Sequence, residues 1–276
     1  MDTSTGGNAR FITDSGALVD LSGTTGPKAD RQITAGSIEG AGNYFLGANH
    51  LSVGLNNLST EVSGIIADGG IVGGTGGSLI KVGTGTLTLS GANTYSGGTT
   101  LDAGTIVVNN AQALGLGNVT VNGGILTADP QPINVKGNYI QTGGGTLQSQ
   151  VAGNIAGQYN FLNVSGSASL GGTLQLLNLG YKPKAGDQLT LVTAGGTVSG
   201  KFSPFVDPFA TGSGYNTVDL VYGKNSVLLE FLNVTIPVPP PPSLPPSTSP
   251  RSLKRRISER WPACLTMCNW IPEHRT

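Results

Sequence analysis

A short glycine-led pattern recurs along this chain and constrains its fold more than any other feature. In each occurrence a Gly is followed one or two places later by an aliphatic residue, and apolar positions alternate with polar ones, as in Thr86, Leu87, Thr88 and Leu89. This alternation predicts a short β-strand with one buried face. Most occurrences follow one another at intervals of about 20 residues. They are Gly85-Thr86-Leu87, Gly104-Thr105-Ile106, Gly124-Ile125-Leu126, Gly145-Thr146-Leu147, Gly172-Thr173-Leu174 and Gly196-Thr197-Val198.

A period of this length is typical of a solenoid, in which each repeat forms one coil and buries its apolar face only when neighbouring coils stack on it. We therefore predict an all-β fold, a right-handed parallel β-helix. Coils that stack about 4.8 Å apart would arrange roughly 200 to 230 residues in about ten coils. Leu, Ile and Val are expected to fill the bore of the rod, and aromatic side chains are expected to fit there rarely.

The composition agrees with strands and turns rather than helices. Charged residues make up 11% of the chain and aromatic residues 6%, and 44 of the 276 residues are Gly. The surface must therefore be polar through Thr, Ser, Asn and Gln, which suit outward strand positions and turns. Residues 1–236 carry nine basic and thirteen acidic side chains. This mildly acidic body gives no indication of nucleic-acid binding.

Changes in pattern along the chain predict five regions. The strands become longer after residue 137, which is typical of wider coils that close the end of a rod, and a last strand pair is predicted at 217–222 and 226–231. Eight of the sixteen prolines follow in a spacer of the polyproline II type. The regions are weakly patterned N-terminal β coils (1–42), the repeat-bearing β-helix (43–137), the C-terminal coils (138–236), a Pro-rich linker (237–250) and a disordered basic tail (251–276).

The two ends of the chain differ from its body. The N-terminal residues include neither a basic segment nor an apolar stretch, so no signal peptide is visible, and no window reaches the roughly 18 apolar residues of a membrane helix. Residues 251–276 carry six basic and two acidic residues together with both Cys and both Trp residues. This composition favours a segment read in another frame or a truncation remnant. Cys264, Cys268 and His274 imitate a metal spacing, but we expect no ordered frame for four zinc ligands there.

The segment SLIKVGTGTLTLSGANTYSGGTTLDAGTIVVNN, residues 78–110, resembles the autotransporter-associated β-strand repeat, also called the passenger-associated transport repeat. Residues 139–202 resemble the C-terminal part of the same passengers. The resemblance implies a type V secreted passenger with a β-helix fold, which a C-terminal outer-membrane translocation barrel displays at the cell surface or releases. It also implies that the repeats assist transport and that the rod serves adhesion. The barrel is missing after the Pro-rich linker, so we expect a passenger fragment.

The carboxylates of the body are spread at about one per coil rather than clustered as in β-helix hydrolases, and each is expected to serve a turn or solubility. His50 is expected to be an exposed loop residue. We therefore predict no catalytic, cofactor-binding or metal-binding residues and no small-molecule cofactor. The carboxylates are Glu61, Asp68, Asp102, Asp129, Asp187, Asp207 and Asp219.

The sequence is compatible with two functions. The first is a non-enzymatic surface stalk or adhesin, whose partners are the translocation barrel and host or matrix surface ligands. The alternative is a polysaccharide-active β-helix enzyme. Such an enzyme needs two carboxylates within about 10 Å on one face, for example Asp102 with Asp129 or Asp187 with Asp207.

Two smaller patterns lead to hypotheses about the surface. The pair Thr86 and Thr88 is similar to part of a flat ice-binding face, but it occurs in one coil and is not expected to repeat in register. Four Asn residues fall near predicted coil corners, where stacked amides would hydrogen-bond along the rod. They are Asn93, Asn109, Asn110 and Asn122.

Overall fold

The computed structural model describes residues 3–129, 131–205, 208–209, 215 and 217–233. Met1–Val234 forms one compact unit, and the second unit, Thr235–Thr276, lies outside the described residues together with the predicted linker and tail. All the regular secondary structure in the described residues is β-strand, which confirms the all-β class. The described residues include no helix that is long and apolar enough to span a membrane.

Twenty-two strands make up the described part of the fold. In chain order they are β1 (Arg10–Thr13), β2 (Leu18–Asp20), β3 (Gln32–Ala35), β4 (Ser37–Gly40), β5 (Asn43–Phe45), β6 (His50–Val53), β7 (Thr60–Val62), β8 (Ile66–Ala67), β9 (Ser78–Lys81), β10 (Thr86–Leu89), β11 (Gly98–Leu101), β12 (Thr105–Val108), β13 (Val119–Ala128), β14 (Ile133–Val135), β15 (Tyr139–Val151), β16 (Leu162–Val164), β17 (Ala168–Leu170), β18 (Thr173–Asn178), β19 (Gln188–Ala194), β20 (Val198–Gly200), β21 (Thr217–Tyr222) and β22 (Ser226–Leu232).

Three groups of strands form the sides of the coils. Sheet A contains β3, β6, β9, β11, β17 and β20 with the first parts of β13 and β15, and sheet B contains β1, β4, β7, β10, β12 and β18 with the remaining parts of β13 and β15. The third side, called sheet C, consists of two separate sheets: β2, β5 and β8 form one, and β14, β16, β19, β22 and β21 form the other further along the chain. All pairings within sheets A and B are parallel, as expected for a parallel β-helix.

Glycines form the corner at which the chain passes from sheet A to sheet B. In β13, residues 119–121 pair within sheet A and residues 125–128 pair within sheet B. Gly124 between them has a φ of 70°, and a side chain there would collide with the carbonyl oxygen of Gly104 in the neighbouring coil. Gly104 itself has a φ of 74° and an equally close contact with Gly83. Left-handed backbone and close stacking both exclude a Cβ, which explains why the repeat begins with Gly.

The aliphatic residues of the repeat stack in one column inside sheet B. The parallel register pairs each with its counterpart in the next coil, and each is at most 2% exposed. Five of the six predicted occurrences are therefore confirmed. The sixth assignment is wrong, because Val198 pairs with Ala168 in sheet A and Gly196 lies at the corner that follows sheet C. The column contains Leu87, Ile106, Leu126, Leu147 and Leu174.

The coils have two lengths. In the middle of the rod 20 residues separate stacked positions, such as Asn118 and Asn138. The separation is 28 residues from His50 to Ser78, and the two C-terminal coils, with separations of 29 and 30 residues, are wider as predicted. Because loops in the long coils take up residues, sheet A has eight stacked levels in the described chain rather than ten. Eight levels correspond to a rod about 34 Å long.

An antiparallel strand pair ends the stack on the side of sheet C. β22 pairs antiparallel with both β19 and β21, which confirms the predicted last strand pair. Phe231 of β22 packs edge-on against Phe209 and Tyr215, with ring centroids 5.1 Å apart in both pairs, and Tyr181 lies 6.1 Å away. This aromatic cluster covers the end of the core, which a solenoid would otherwise expose to water.

Three tyrosines lie in the bore, where aromatic side chains were expected to be rare. Tyr44, Tyr95 and Tyr139 are each 0% exposed. Their hydroxyl groups find partners inside the rod: Tyr44 Oη donates to the Glu39 carbonyl oxygen (2.8 Å), and Tyr139 Oη donates to Gln141 Oε1 (2.6 Å). A buried Tyr is stable there because its polar tip is hydrogen-bonded.

Asn93 joins three consecutive coils. Its side chain is 0% exposed, Oδ1 accepts a hydrogen bond from the Ile66 N–H (2.8 Å), and Nδ2 donates to the Ala113 carbonyl oxygen (2.6 Å). Asn93 therefore bonds along the rod as predicted, but its partners are backbone groups and not side-chain amides. An amide-to-amide bond along the axis occurs elsewhere, from Asn163 Nδ2 to Asn134 Oδ1 (2.8 Å).

The other three Asn residues of the predicted ladder also bond to the preceding coil. Asn109 Nδ2 donates to Ser90 Oγ and Asn110 Nδ2 donates to the Ser90 carbonyl oxygen, at 3.2 Å in each case. Asn122 Nδ2 donates to Asp102 Oδ1 at 2.9 Å. The direction of the predicted ladder is correct, and its acceptors are hydroxyl, carboxylate and carbonyl oxygens.

We expect Asn93→Ala to destabilise the rod by about 2 to 3 kcal/mol, because it leaves a buried N–H and a buried carbonyl without partners. Urea unfolding followed by circular dichroism, with hydrogen exchange at the Ile66 amide, measures the effect. Asn109→Ala removes a hydrogen bond of an exposed side chain and is the matched control, with an expected change below about 0.5 kcal/mol. Equal effects of the two substitutions would contradict the structural role of Asn93.

Candidate functional site

The structure separates the first pair of carboxylates that the enzyme alternative requires. Asp102 precedes β12, whereas Asp129 follows β13, and the register aligns Val108 at the end of β12 with Ala128. At least the length of β12, about 13 Å, therefore lies between the two carboxylates. They occupy opposite corners of sheet B, beyond the separation that a glycosidase pair uses.

The second pair cannot be compared, because Asp207 lies outside the described residues, but the role of Asp187 is clear. Asp187 Oδ2 accepts hydrogen bonds from Tyr181 Oη (2.6 Å) and from the Lys184 N–H (2.8 Å). Burial alone would raise the pKa of Asp187, but these hydrogen bonds outweigh it and hold the pKa below its ordinary value. Asp187 thus closes the predicted turn before β19, which begins at Gln188.

The other carboxylates in the described residues also have structural surroundings. Asp68 accepts hydrogen bonds from the N–H groups of Gly77 (2.9 Å) and Ser96 (3.2 Å) and so ties the loop before β9 to the next coil. Glu61 accepts a bond from Ser90 Oγ (2.6 Å), and Asp219 is exposed on β21. These contacts agree with turn and surface roles.

His50 does not lie in an exposed loop, so that interpretation is wrong. It is the first residue of β6, it is half-buried on the outer face of sheet A, and its Nδ1 lies 2.7 Å from Ser78 Oγ in the next coil. Within the described ranges, no group of three or more His, Cys, Asp or Glu side chains could hold a metal ion. Cys264, Cys268 and His274 lie outside those ranges.

The outer face of sheet B repeats its Thr residues further than the sequence suggested. Thr86 pairs with Thr105, and the same column continues through Ile125 to Thr146 and Thr173. The Thr-x-Thr pair itself occurs in one coil, as expected, because Thr88 aligns with Val107, Thr127, Gln148 and Gln175 in the following coils. The single Thr column was not apparent from the sequence because the coils differ in length.

A shallow groove of about 310 Å³ lies beside the first strand of sheet A. Its lining combines hydroxyl and amide groups with one basic and one acidic side chain, and it adjoins none of the carboxylates considered above. Such a groove is large enough for a small polar ligand. The residues that line it are Thr5, Pro27, Lys28, Asp30, Gln32 and Thr34.

Lys81 is a buried cation that the sequence pattern did not reveal. It occupies an inward position of β9 and is 1% exposed. Its Nζ donates hydrogen bonds to the carbonyl oxygens of Val82 (2.6 Å) and Gly83 (3.0 Å) and to that of Ala103 in the next coil (3.4 Å). The ammonium group therefore links two successive corners between sheets A and B. The sequence feature that could have indicated its burial is its place at an inward position of an alternating strand, where an apolar residue is expected.

Burial lowers the pKa of Lys81 from its ordinary 10.5 to about 8. Desolvation is the cause, because a low-dielectric environment disfavours the charged form, and the partners of Nζ are neutral carbonyl groups. Lys81 is enclosed in the rod and offers no surface to a substrate. Its chemistry is that of a structural donor whose charge depends on pH.

The fold is a capped parallel β-solenoid, and the comparisons with known proteins add two similarities. Residues 79–108 match the family described as Passenger-associated-transport-repeat. A segment of 96 residues is 38% identical to the Adhesin BmaC autotransporter of Brucella suis biovar 1 (strain 1330). This match covers 34% of the present chain and 3% of that adhesin. The two findings support an autotransporter passenger with associated repeats, as the sequence resemblance implied.

The matched repeat corresponds to a defined part of the rod. Residues 79–108 contain nearly all of β9 together with β10, β11 and β12, which are neighbouring strands of sheets A and B. The segment also contains Lys81 and Asn93, two of the buried polar side chains that connect coils. The family repeat is thus about one and a half coils of the solenoid, with its own connections along the axis.

We expect the free energy of unfolding to rise with pH between about 8 and 10.5 because of Lys81. In this interval the unfolded chain binds a proton that the folded chain has lost, and the slope from one group is at most about 1.4 kcal/mol per pH unit. Urea unfolding at a series of pH values measures it. Lys81→Met should lose this rise, whereas the control Lys136→Met, at an exposed residue, should retain it. Parallel pH profiles for wild type and Lys81→Met would contradict the assignment.

Proposed function

We propose that this chain is the rod of a non-enzymatic autotransporter passenger, a surface stalk or adhesin whose repeats assist its own transport. The observation that carries the proposal is the transport repeat at residues 79–108, which lies in the middle of an unbroken stack of parallel strands. The proposed partner in transport is an outer-membrane translocation barrel. The proposed location is the cell surface or the extracellular medium.

The coil architecture supports a role in transport. In a solenoid each coil contacts only its neighbours, so a chain that emerges from a membrane can fold one coil at a time on a coil already formed. The antiparallel end formed by β21 and β22 supplies a closed surface on which such stacking can begin. We propose that residues 43–137 are the repeat-bearing part and that residues 138–236 form this starting end.

The adhesive part of the proposal rests on the similarity to an autotransporter named as an adhesin and on the form of the surface. Long outer faces of sheets A and B present ordered rows of polar side chains, which suit contact with a host or matrix surface rather than with a small molecule. The carboxylates whose contacts are described have structural partners or lie apart. This supports a passenger without enzymatic activity and without a cofactor.

We expect display of the rod to require the folded repeat. The chain is to be placed between a signal peptide and an outer-membrane translocation barrel in a Gram-negative host, and surface exposure is measured by protease accessibility on intact cells. Leu87→Asp places a charge in the core column and should reduce the protease-resistant surface form at least about tenfold. Thr88→Lys, one residue away on the outer face and beside Glu61, should leave it unchanged.

Adhesion has a separate test. Beads coated with the purified chain should bind to extracellular-matrix proteins or host cells above the level of beads coated with chain unfolded in urea. Binding that is equal for folded and unfolded chain would refute the adhesive role. Surface display of Leu87→Asp at the wild-type level would refute the transport role.

A further inference from the structure

One column of outward side chains runs the whole length of sheet A. The register pairs each member with the next through all eight levels of the described sheet. Six members carry a hydroxyl group and two are Ile, and all are half-buried or exposed. In order along the rod, the column is Thr34, Ser52, Ile80, Thr100, Thr120, Ile140, Ser169 and Ser199.

The main column and the outward column beside it, on the side away from sheet B, carry no formal charge. The neighbouring outward column consists of polar residues and one Gly, and side chains in it bond to the next coil, as where Asn138 Oδ1 accepts from the Ser167 N–H (2.9 Å). An uncharged strip of this length stands out in a body that carries 22 charged side chains. The neighbouring column is Gln32, His50, Ser78, Gly98, Asn118, Asn138, Ser167 and Thr197.

The order of residues in the main column is the same in both directions. Counted from either end, the third residue is Ile and the fourth is Thr, with hydroxyl residues at the first two positions. If a second copy lies face to face with its rod axis reversed, Ile80 meets Ile140 and Thr100 meets Thr120, twice each. A copy with its rod axis in the same direction would pair each residue with itself and would need no such symmetry.

We propose that the outer face of sheet A binds a second copy of this chain in an antiparallel, two-fold symmetric arrangement. The two-fold axis lies parallel to the strands and passes between the levels of β11 and β13. Such an isologous contact requires one self-complementary patch, which the reversed order of the column provides. The two Ile pairs supply apolar burial, and the Thr and Ser residues between and beyond them supply hydroxyl contacts.

The flanks of the face are compatible with this arrangement. On the side towards sheet B, Asp102 follows β11 at the position that Asn122 occupies in β13. In the antiparallel arrangement Asp102 faces Asn122, so no like charges meet there. Lys201, which follows β20, extends over the ring of Tyr222, with Nζ 5.4 Å from the ring centroid. Like charges placed opposite each other would cost affinity, and their absence keeps the whole face available.

The size of the face sets the expected strength of the dimer. A strip about 34 Å long and about 15 Å wide gives about 500 Å² per copy, which is less than the roughly 800 Å² of a standard interface. We therefore expect a weak dimer with a dissociation constant in the micromolar range, below roughly 200 µM. Because the two columns carry no formal charge, the affinity of the dimer should change little with salt.

Sedimentation equilibrium of the full chain over a concentration series tests the proposal. Wild type should shift from monomer to dimer as concentration rises, and Ile140→Lys should weaken dimerisation at least about tenfold by burying a charge against Ile80 of the second copy. Ile71→Lys is the matched control, because Ile71 is 91% exposed in the loop before β9, and it should dimerise like wild type. A wild-type chain that stays monomeric at roughly 200 µM, or an Ile140→Lys variant that dimerises like wild type, overturns the proposal.

A double substitution tests the orientation. Ile80→Lys combined with Ile140→Asp places opposite charges against each other in the antiparallel dimer, and should restore dimerisation relative to Ile80→Lys alone. In a parallel dimer the same pair would place like charges against each other and weaken binding further. Restored dimerisation supports the antiparallel arrangement and also shows that the variants fold, whereas failure to restore it rejects that arrangement.

Discussion

Parallel stacking of backbone at about 4.8 Å is the constraint on which the rest of this structure depends. A strand inside the stack hydrogen-bonds to both neighbouring coils, so the corners must recur at nearly the same place and the backbone there passes very close to the next coil. Gly104 and Gly124 meet that demand with left-handed backbone and no Cβ. Extra residues are accommodated only where the stack permits a loop, as between His50 and Ser78. The geometry of the corners therefore determines the sequence repeat more than the strand preference of its residues does.

The repeat made the strands, the parallel stacking and the wider C-terminal coils predictable, because strand period and corner glycines are local properties. The number of coils was not predictable, since loop length is decided by whether a loop can leave the stack without breaking it. The misplaced Gly196 shows a related limit: glycines at different corners look alike in sequence. The likeness of residues 78–110 to a transport repeat pointed to the family, whereas the positions of the carboxylates required the coil register.

Buried polar groups were the features hardest to read from the sequence. Lys81 and Tyr139 lie at strand positions where a period-two pattern predicts apolar side chains, and Asn93 lies between β10 and β11. Lys81 and Asn93 bond to carbonyl groups that only the folded coils bring near, and Tyr139 bonds to Gln141 two residues along the chain. Removing such a partner costs more than the bond itself contributes, because a buried polar group is then left unsatisfied. These side chains therefore favour one register of coil on coil, whereas an aliphatic bore alone would tolerate several. Lys81 and Asn93 lie within residues 79–108, the segment that matches the transport repeat.

The bond network of Asn93 also determines how the rod responds to mechanical load. Backbone hydrogen bonds between stacked strands run along the rod, so tension applied end to end pulls directly on them and opens the stack in the manner of a zipper, one coil after another. Asn93 interrupts that sequence, because it holds Ile66 on one side and Ala113 on the other and so makes three coils yield together. A rod built in this way yields first at its ends and last at the coils that Asn93 joins.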